Sequence, residues 1–169
     1  MNAPLPEVST LLDRLAEEIR PILTPDTAIV GIHTGGVWVA EELHKRLGPV
    51  LPLGTLDISF YRDDFSRIGL HPEVKPSAIP FVVEDQPILL VDDVLHTGRT
   101  VRAAMNELFD YGRPARIDLA VLIDRGGREL PIAAQMVGAT VQVPPDVSIV
   151  LSRDESNRLH LTLEQKPRG

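Results

Sequence analysis

Cysteine is absent from the chain, which excludes a disulfide framework, a thiolate zinc site and a cysteine nucleophile together. Long apolar runs are also missing. The strongest, such as Ile88–Val91, fall far short of the roughly 18 residues that a membrane span needs, so no transmembrane helix is expected. Met1–Val8 carries no basic residue and runs through Pro4, Pro6 and Glu7, unlike a signal peptide, and a cytoplasmic location is expected. Basic charge is in short supply. Seventeen Lys and Arg against 24 Asp and Glu leave a net charge of −7, which argues against nucleic-acid binding over the whole surface while leaving room for a local basic face. Aromatic residues contribute only 4%, beside 43% hydrophobic and 24% charged residues. With 169 residues this is the profile of one compact soluble domain spanning 1–169, able to bury roughly 70% of the surface of its unfolded chain.

Ser9–Ile22 sets Leu11, Leu12, Leu15, Ala16, Ile19 and Ile22 at helical spacing, with Ser9 or Thr10 as N-cap and Pro21 and Pro25 at its end. Ala28–Ile32 reads as a strand, followed by Thr34-Gly35-Gly36 and a helix over Val37–Leu47. Leu56–Tyr61 reads as a strand, Arg62–Ser77 as a polar irregular passage, and Pro80–Glu84 as a short strand. Ile88–Asp92 and Ile117–Ile123 lack polar alternation, which places them in a sheet covered on both faces. A helix is expected from about Gly98 to Tyr111, and short strands over Ala139–Gln142, Ser148–Leu151 and Arg158–Glu164. Repeated strand–loop–helix units indicate an α/β fold with a mostly parallel central sheet flanked by helices.

The chemistry concentrates in Ile88–Thr100, Ile-Leu-Leu-Val-Asp-Asp-Val-Leu-His-Thr-Gly-Arg-Thr. Ligands of open α/β sheets sit beyond the carboxyl ends of the strands. Here a buried strand delivers Asp92 and Asp93 to that edge, where they can accept hydrogen bonds from vicinal sugar hydroxyls. The free N–H groups opening the next helix, with the Thr97 and Thr100 hydroxyls, suit a phosphate. Two carboxylates beside a polyphosphate imply a hard divalent cation, Mg²⁺, between them.

This segment resembles the phosphoribosyl-pyrophosphate (PRPP) motif of the type I phosphoribosyltransferases. Within that superfamily the chain looks like the PyrR family, the bifunctional pyrimidine operon regulators with uracil phosphoribosyltransferase activity. Gly54–Asp64 and Ala120–Pro131 carry the resemblance beyond one motif, over most of residues 10–140. The resemblance implies the type I fold with a small hood and a mobile loop, and the conversion of uracil and PRPP to UMP and pyrophosphate. Residue by residue, it implies that Asp92 and Asp93 hold the ribose hydroxyls. It implies a 5-phosphate loop of Val94, Leu95, His96, Thr97, Gly98, Arg99 and Thr100, and a pyrophosphate loop of Thr34, Gly35 and Gly36. Arg62 would reach the pyrophosphate when Arg62–Pro80 closes, and Arg125 would begin the base-side hood. Mg²⁺ would arrive mainly with the substrate, with no metal site of the protein's own. Homo-oligomers, at least dimers, are implied.

The sequence departs from the family at two places. The pyrophosphate loop usually reads Lys-Thr-Arg-Gly, but here it is His33-Thr34-Gly35-Gly36. Loss of a charge-assisted contact of about 1.5–3 kcal/mol leads to an expected reduction of PRPP affinity or turnover by about one to two decades. The first helix presents Asp13, Glu17 and Glu18, and Gly127 replaces the histidine of the motif Asp-Arg-Gly-His-Arg-Glu-Leu-Pro. These acidic groups weaken binding of the leader mRNA of pyrimidine genes, although Arg125 and Arg128 remain as RNA-binding candidates. A regulator that keeps the nucleotide pocket with little catalysis, acting through RNA or a protein partner, is the competing expectation. A purine or orotate transferase is disfavoured by Asp124–Pro131. His33, His44, His71, His96 and His160 lack metal-ligand spacing and are expected to be ordinary surface or loop residues. Trp38 is expected in the core or at a subunit contact.

Overall fold

The computed structural model describes residues 5–58 and 77–167. Helix α1 (Val8–Ile19) and a 3-10 turn (Arg20–Ile22) lead to β1 (Ala28–Ile32), α2 (Gly35–Leu47) and β2 (Leu53–Leu56). Strand β3 (Pro87–Leu95), helix α3 (Arg99–Tyr111) and strands β4 (Arg116–Asp124) and β5 (Met136–Thr140) follow. Strands β6 (Val147–Arg153) and β7 (Leu159–Gln165) form an antiparallel hairpin of their own.

The sheet runs in the order β2-β1-β3-β4-β5, every pair parallel. Alternate residues of its strands feed two cores, as the pleat requires. Ile29, Leu89, Val91 and Leu122 join Leu11, Leu15, Ile19, Val39 and Leu43 of α1 and α2 on one face. Val30, Ile88, Leu90, Leu119 and Val121 join Val101, Ala104 and Leu108 of α3 on the other. Coverage of both faces explains why β3 and β4 read as unbroken apolar runs.

Several boundaries move for identifiable reasons. Ser9 and Thr10 lie inside α1, and Glu7 is its N-cap, because Val8 is already buried against the core. Pro21 has no N–H to continue the ladder, so the α-helix stops at Ile19 and the chain tightens into the 3-10 turn. Helix α2 begins at Gly35, so both glycines lie in its first turn. Strand β2 covers Leu53–Leu56, not Leu56–Tyr61, because its pairing with β1 ends where Ile32 meets Leu56; residues 59–61 lie outside the described residues. No strand forms over Pro80–Glu84. Ala78 makes a lone antiparallel bridge to Thr55 instead, and Ile79 and Phe81 pack onto Gly54. Strand β5 sits earlier than Ala139–Gln142, since its register follows β4 from Ala120 opposite Met136.

The strand order fixes where a ligand can sit. β1 is followed by β2 on one side, whereas its other neighbour, β3, is followed by β4 on the far side, so the connections after β1 and β3 diverge and leave a crevice at their carboxyl ends. The Thr34–Gly36 turn that opens α2 and the stretch Asp92–Thr100, from the end of β3 into α3, flank it.

Candidate active site

Strand β3 carries Asp92 and Asp93 near its carboxyl end, with Asp92 buried and Asp93 half-buried. Each carboxylate fastens the backbone beside it: Asp93 N–H donates to Asp92 Oδ1 at 2.8 Å and Val94 N–H donates to Asp93 Oδ1 at 2.8 Å. The first turn of α2 rests directly on this pair. A β-carbon on Gly35 would fall 2.1 Å from Asp93 Oδ2, and one on Gly36 would fall 2.7 Å from the Val91 carbonyl oxygen and 3.1 Å from Asp92 Oδ1. Two glycines are therefore what lets the N-terminal end of α2, the positive end of the helix dipole, lie against the acidic pair. The His33–Thr34 peptide leading into this turn is cis.

On the other side of Asp92 the chain turns through His96, Thr97 and Gly98 into α3. Gly98 is the N-cap, with φ of +93°, a region glycine enters without penalty. Thr97 Oγ1 accepts from Arg99 N–H at 3.2 Å. Asp92, Val94, His96, Thr97, Gly98 and Thr100 line a small cavity here. A separate groove of about 540 Å³ beside Val8, Leu12, Arg46 and Leu159 contains none of the residues expected to bind substrate.

The segment 124–132 braces this loop from outside. Arg125 N–H donates to Leu95 O at 3.0 Å, and Glu129 and Leu130 N–H donate to Thr97 O at 2.9 and 3.1 Å. Arg128 donates from Nε to Ile132 O at 2.8 Å, from Nη1 to His96 O at 2.9 Å and from Nη2 to Asp124 Oδ2 at 2.6 Å. Arg99 Nε pairs with Glu129 at 2.8 Å. Burial pushes the Asp124 carboxyl up, but hydrogen bonds from Arg128 and the Gly126 N–H, with the Arg128 charge, outweigh it and hold the group below the usual carboxylate value.

Arg125 is not a surface arginine. It is 9% exposed, and its Nη1 and Nη2 donate to Val147 O at 2.7 Å and Pro144 O at 3.3 Å. The guanidinium thus ties the end of β4 to the start of the β6–β7 hairpin. Both arginines named as RNA-binding candidates are engaged with the protein's own backbone. The first helix is likewise less bare than its sequence suggests, because Asp13 pairs with Arg46 at 2.9 Å and Glu17 with Arg20 at 3.0 Å. Trp38 packs at the core edge with the Arg153 guanidinium 4.9 Å from its ring centre. Arg62 and His71 lie outside the described residues. The clasp by Arg128 and Glu129 and the contact of Gly35 with Asp93 were not evident in the sequence. An acid and an arginine four residues apart, Asp124 and Arg128, were the available hint of the first; the second had none.

A model of the phosphoribosyl transferase domain matches residues 5–149. The bifunctional protein PyrR of Pseudomonas paraeruginosa is 55% identical over 151 residues, covering 87% of this chain and 89% of that one. The PyrR of Nitrosococcus oceani is 56% identical over 144 residues, covering 84% and 79%. The chain belongs to the PyrR family. Among solved structures, this PyrR chain is similar to hypoxanthine phosphoribosyltransferase of Trypanosoma cruzi in a ternary complex with substrates, with a TM-score of 0.68 at 19% identity over 93% of this chain and 92% of that one. A purine phosphoribosyltransferase of Pyrococcus horikoshii aligns with a TM-score of 0.60 at 23% identity, over 80% of this chain and 83% of that one. These two likenesses establish the type I phosphoribosyltransferase fold for this PyrR chain, and with it the flanked parallel sheet expected from the sequence.

Proposed function

We propose that this PyrR-family chain is a uracil phosphoribosyltransferase, transferring the ribose 5-phosphate of PRPP to uracil with release of pyrophosphate, and that it responds to pyrimidine nucleotides as a regulator of pyrimidine biosynthesis genes. The observation that carries the catalytic reading is the meeting, at the β1/β3 crevice, of the Gly35-Gly36 turn with Asp92 and Asp93 and of these with the N-terminus of α3. Few other ligands call for two anion-binding helix ends on either side of a carboxylate pair.

In this reading Asp92 and Asp93 accept hydrogen bonds from the ribose hydroxyls. Thr97, Thr100 and the backbone of the 94–100 loop hold the 5-phosphate. Thr34, Gly35 and Gly36 receive the pyrophosphate, and Arg62 meets it from the passage after β2. As the glycosidic carbon loses pyrophosphate it acquires oxocarbenium character, so positioning and neutralisation of the leaving group supply most of the rate. Arg125 acts through the hairpin it anchors, shaping the base side of the site.

Mg²⁺ suits the oxygen donors present. In this reading the cation is carried largely by the diphosphate, with Asp92 and Asp93 nearby. When bound, it neutralises charge on the leaving pyrophosphate. A single cytoplasmic domain over 1–169, at least dimeric, completes the proposal. Leader mRNA stays a secondary partner, because Arg125 and Arg128 are spent within the protein.

Base choice is tested by offering uracil, orotate and hypoxanthine separately with PRPP and Mg²⁺. Consumption of uracil alone is expected; turnover of orotate or hypoxanthine in preference to uracil contradicts the assignment.

A further inference from the structure

Strands β6 and β7 pair only with each other, apart from the central sheet. At the two ends of this ladder, Asp154 N–H donates to Arg158 O at 2.9 Å and Lys166 N–H donates to Asp146 O at 2.7 Å. Hydrogen-bonded pairs alternate along an antiparallel ladder, so in this register His160, Thr162 and Glu164 also turn their backbone groups towards β6. Leu159, Leu161, Leu163 and Gln165 turn theirs the other way. Among the described residues, nothing meets that outer edge with a backbone hydrogen bond. An open edge of 7 residues is a template for another strand. We propose that the outer edge of β7 pairs antiparallel with β7 of a second copy of this chain, joining the two hairpins into one sheet in the order β6-β7-β7-β6. The pairing gives a surface to the dimer expected under the proposed function, and rests on that reading only for the expectation that the chain associates.

The side chains of β7 suit a copy of themselves. Complete overlap of Leu159–Gln165 places a two-fold axis at Thr162, the midpoint of the strand. This register sets Leu161 opposite Leu163, His160 opposite Glu164 and Leu159 opposite Gln165, with Thr162 facing its own counterpart. It also sets the outward-facing backbone groups opposite one another, because odd-numbered residues meet odd-numbered residues. Leu159, Leu161 and Leu163 are half-buried and pack against the core beneath the hairpin, whereas His160, Thr162 and Glu164 are exposed. Opposite charges and matched threonines are favourable cross-strand pairs in an antiparallel sheet. His160 Nε2 lies 2.8 Å from Asp154 Oδ2, which leaves Nδ1 for Glu164 of the second copy.

The groove of about 540 Å³ described above lies where the ends of the paired strands fall. Asn157, Arg158, Leu159, His160 and Leu161 line it in unbroken succession, with Glu7 from the start of α1. Side chains alternate across a strand, so an unbroken run places the groove beside the edge of β7, not over one of its faces. In the full-overlap register the residues opposite Asn157–Leu161 are Leu163–Pro167 of the second copy, and the groove receives them. Lys166 then arrives opposite Arg158, a like charge. Asp154 lies 3.7 Å from Arg158, and Glu7 in the same groove offers the Lys166 ammonium an opposite charge. An unrelated extended peptide has no such match to His160 and Glu164.

The test is sedimentation velocity of the native protein, Thr162→Asp, Thr162→Lys and an equimolar mixture of the two variants, beside hydrogen exchange of the β7 amides and synthesis of UMP. Thr162 is exposed, so both variants are expected to keep the hairpin, with the Thr162 and Glu164 amides position-matched to β6 still protected. The native protein is expected to be dimeric. Each variant is expected to weaken the dimer by about tenfold or more, because like charges then meet across the axis, and the mixture is expected to recover dimers. The Leu161 and Leu163 amides are expected to exchange slowly in the native dimer and about tenfold faster or more in either variant. Native dimers whose Leu161 and Leu163 amides exchange as fast as unpaired ones overturn the proposal, even where a variant fails to fold. So do variants that dimerise as tightly as the native protein, a mixture that stays monomeric, or a monomeric native protein. UMP synthesis by a native protein that fails these tests leaves the transferase reading standing, whereas a β7-paired dimer that makes no UMP refutes that reading alone.

Discussion

Gly35 and Asp93 are in direct apposition: a β-carbon at position 35 would lie 2.1 Å from Asp93 Oδ2 and 2.7 Å from its Cγ. From sequence, Gly35 reads as an arginine lost from the pyrophosphate loop. In the structure it is the residue that allows the α2 turn and the ribose-facing carboxylate to share one small space.

An arginine introduced at position 35 is therefore expected to impair the enzyme. Gly35→Arg and Gly35→Ala should each reduce kcat/KM for PRPP by about tenfold or more, as Asp93 is pushed from its position. Steady-state kinetics checks this, and a Gly35→Arg variant with improved PRPP use contradicts it.

Arg128 is expected to behave as a brace of the phosphate loop. Arg128→Ala removes donors from the His96 and Ile132 carbonyls and strands Asp124, which is only 20% exposed in its side chain. A loss of about 1.5–3 kcal/mol is expected in denaturant unfolding, with weaker PRPP binding. Arg128→Lys, which cannot span three acceptors in a fork, should recover only part of it.

The same pair gives a pH dependence. Asp124 has a folded pKa below its ordinary 3.8, so its contribution to stability is complete above that value and disappears as pH falls through the lower folded value. The difference in stability between the native protein and Asp124→Asn is expected to be constant at neutral pH and to shrink below about pH 4. A difference that grows on acidification contradicts it.

At the β6–β7 turn, Asp154 accepts from His160 at 2.8 Å and from the Arg158 and Ser156 N–H groups. The His160 hydrogen bond, aided by those N–H groups, lowers its pKa to about 2. NMR titration should place its midpoint there and show it rising towards 3.8 in His160→Ala. An unchanged midpoint removes His160 as the cause.

The fold was legible where burial writes itself into local pattern. Ala28–Ile32 and the apolar runs of β3 and β4 read as covered strands because both cores claim alternate residues. The acidic pair and Thr97–Thr100 were legible because strand, carboxylates and helix start are contiguous in the chain. Arg125 and Arg128 were not. Their partners are carbonyls of Val147, Pro144, His96 and Ile132, and nothing in a turn-like Arg-Gly-Gly-Arg sequence distinguishes an exposed arginine from one folded inward onto backbone. The start of the strand expected at Leu56 was set too late for a related reason, since its pairing with β1 already begins at Leu53.

The most direct test of the account is conversion of labelled uracil to UMP with PRPP and Mg²⁺, for the native protein beside the Asp92→Asn/Asp93→Asn variant. UMP is expected from the native protein and not from the variant. No UMP from the native protein at saturating PRPP and Mg²⁺, with UMP still bound, contradicts the assignment of this site as a working transferase.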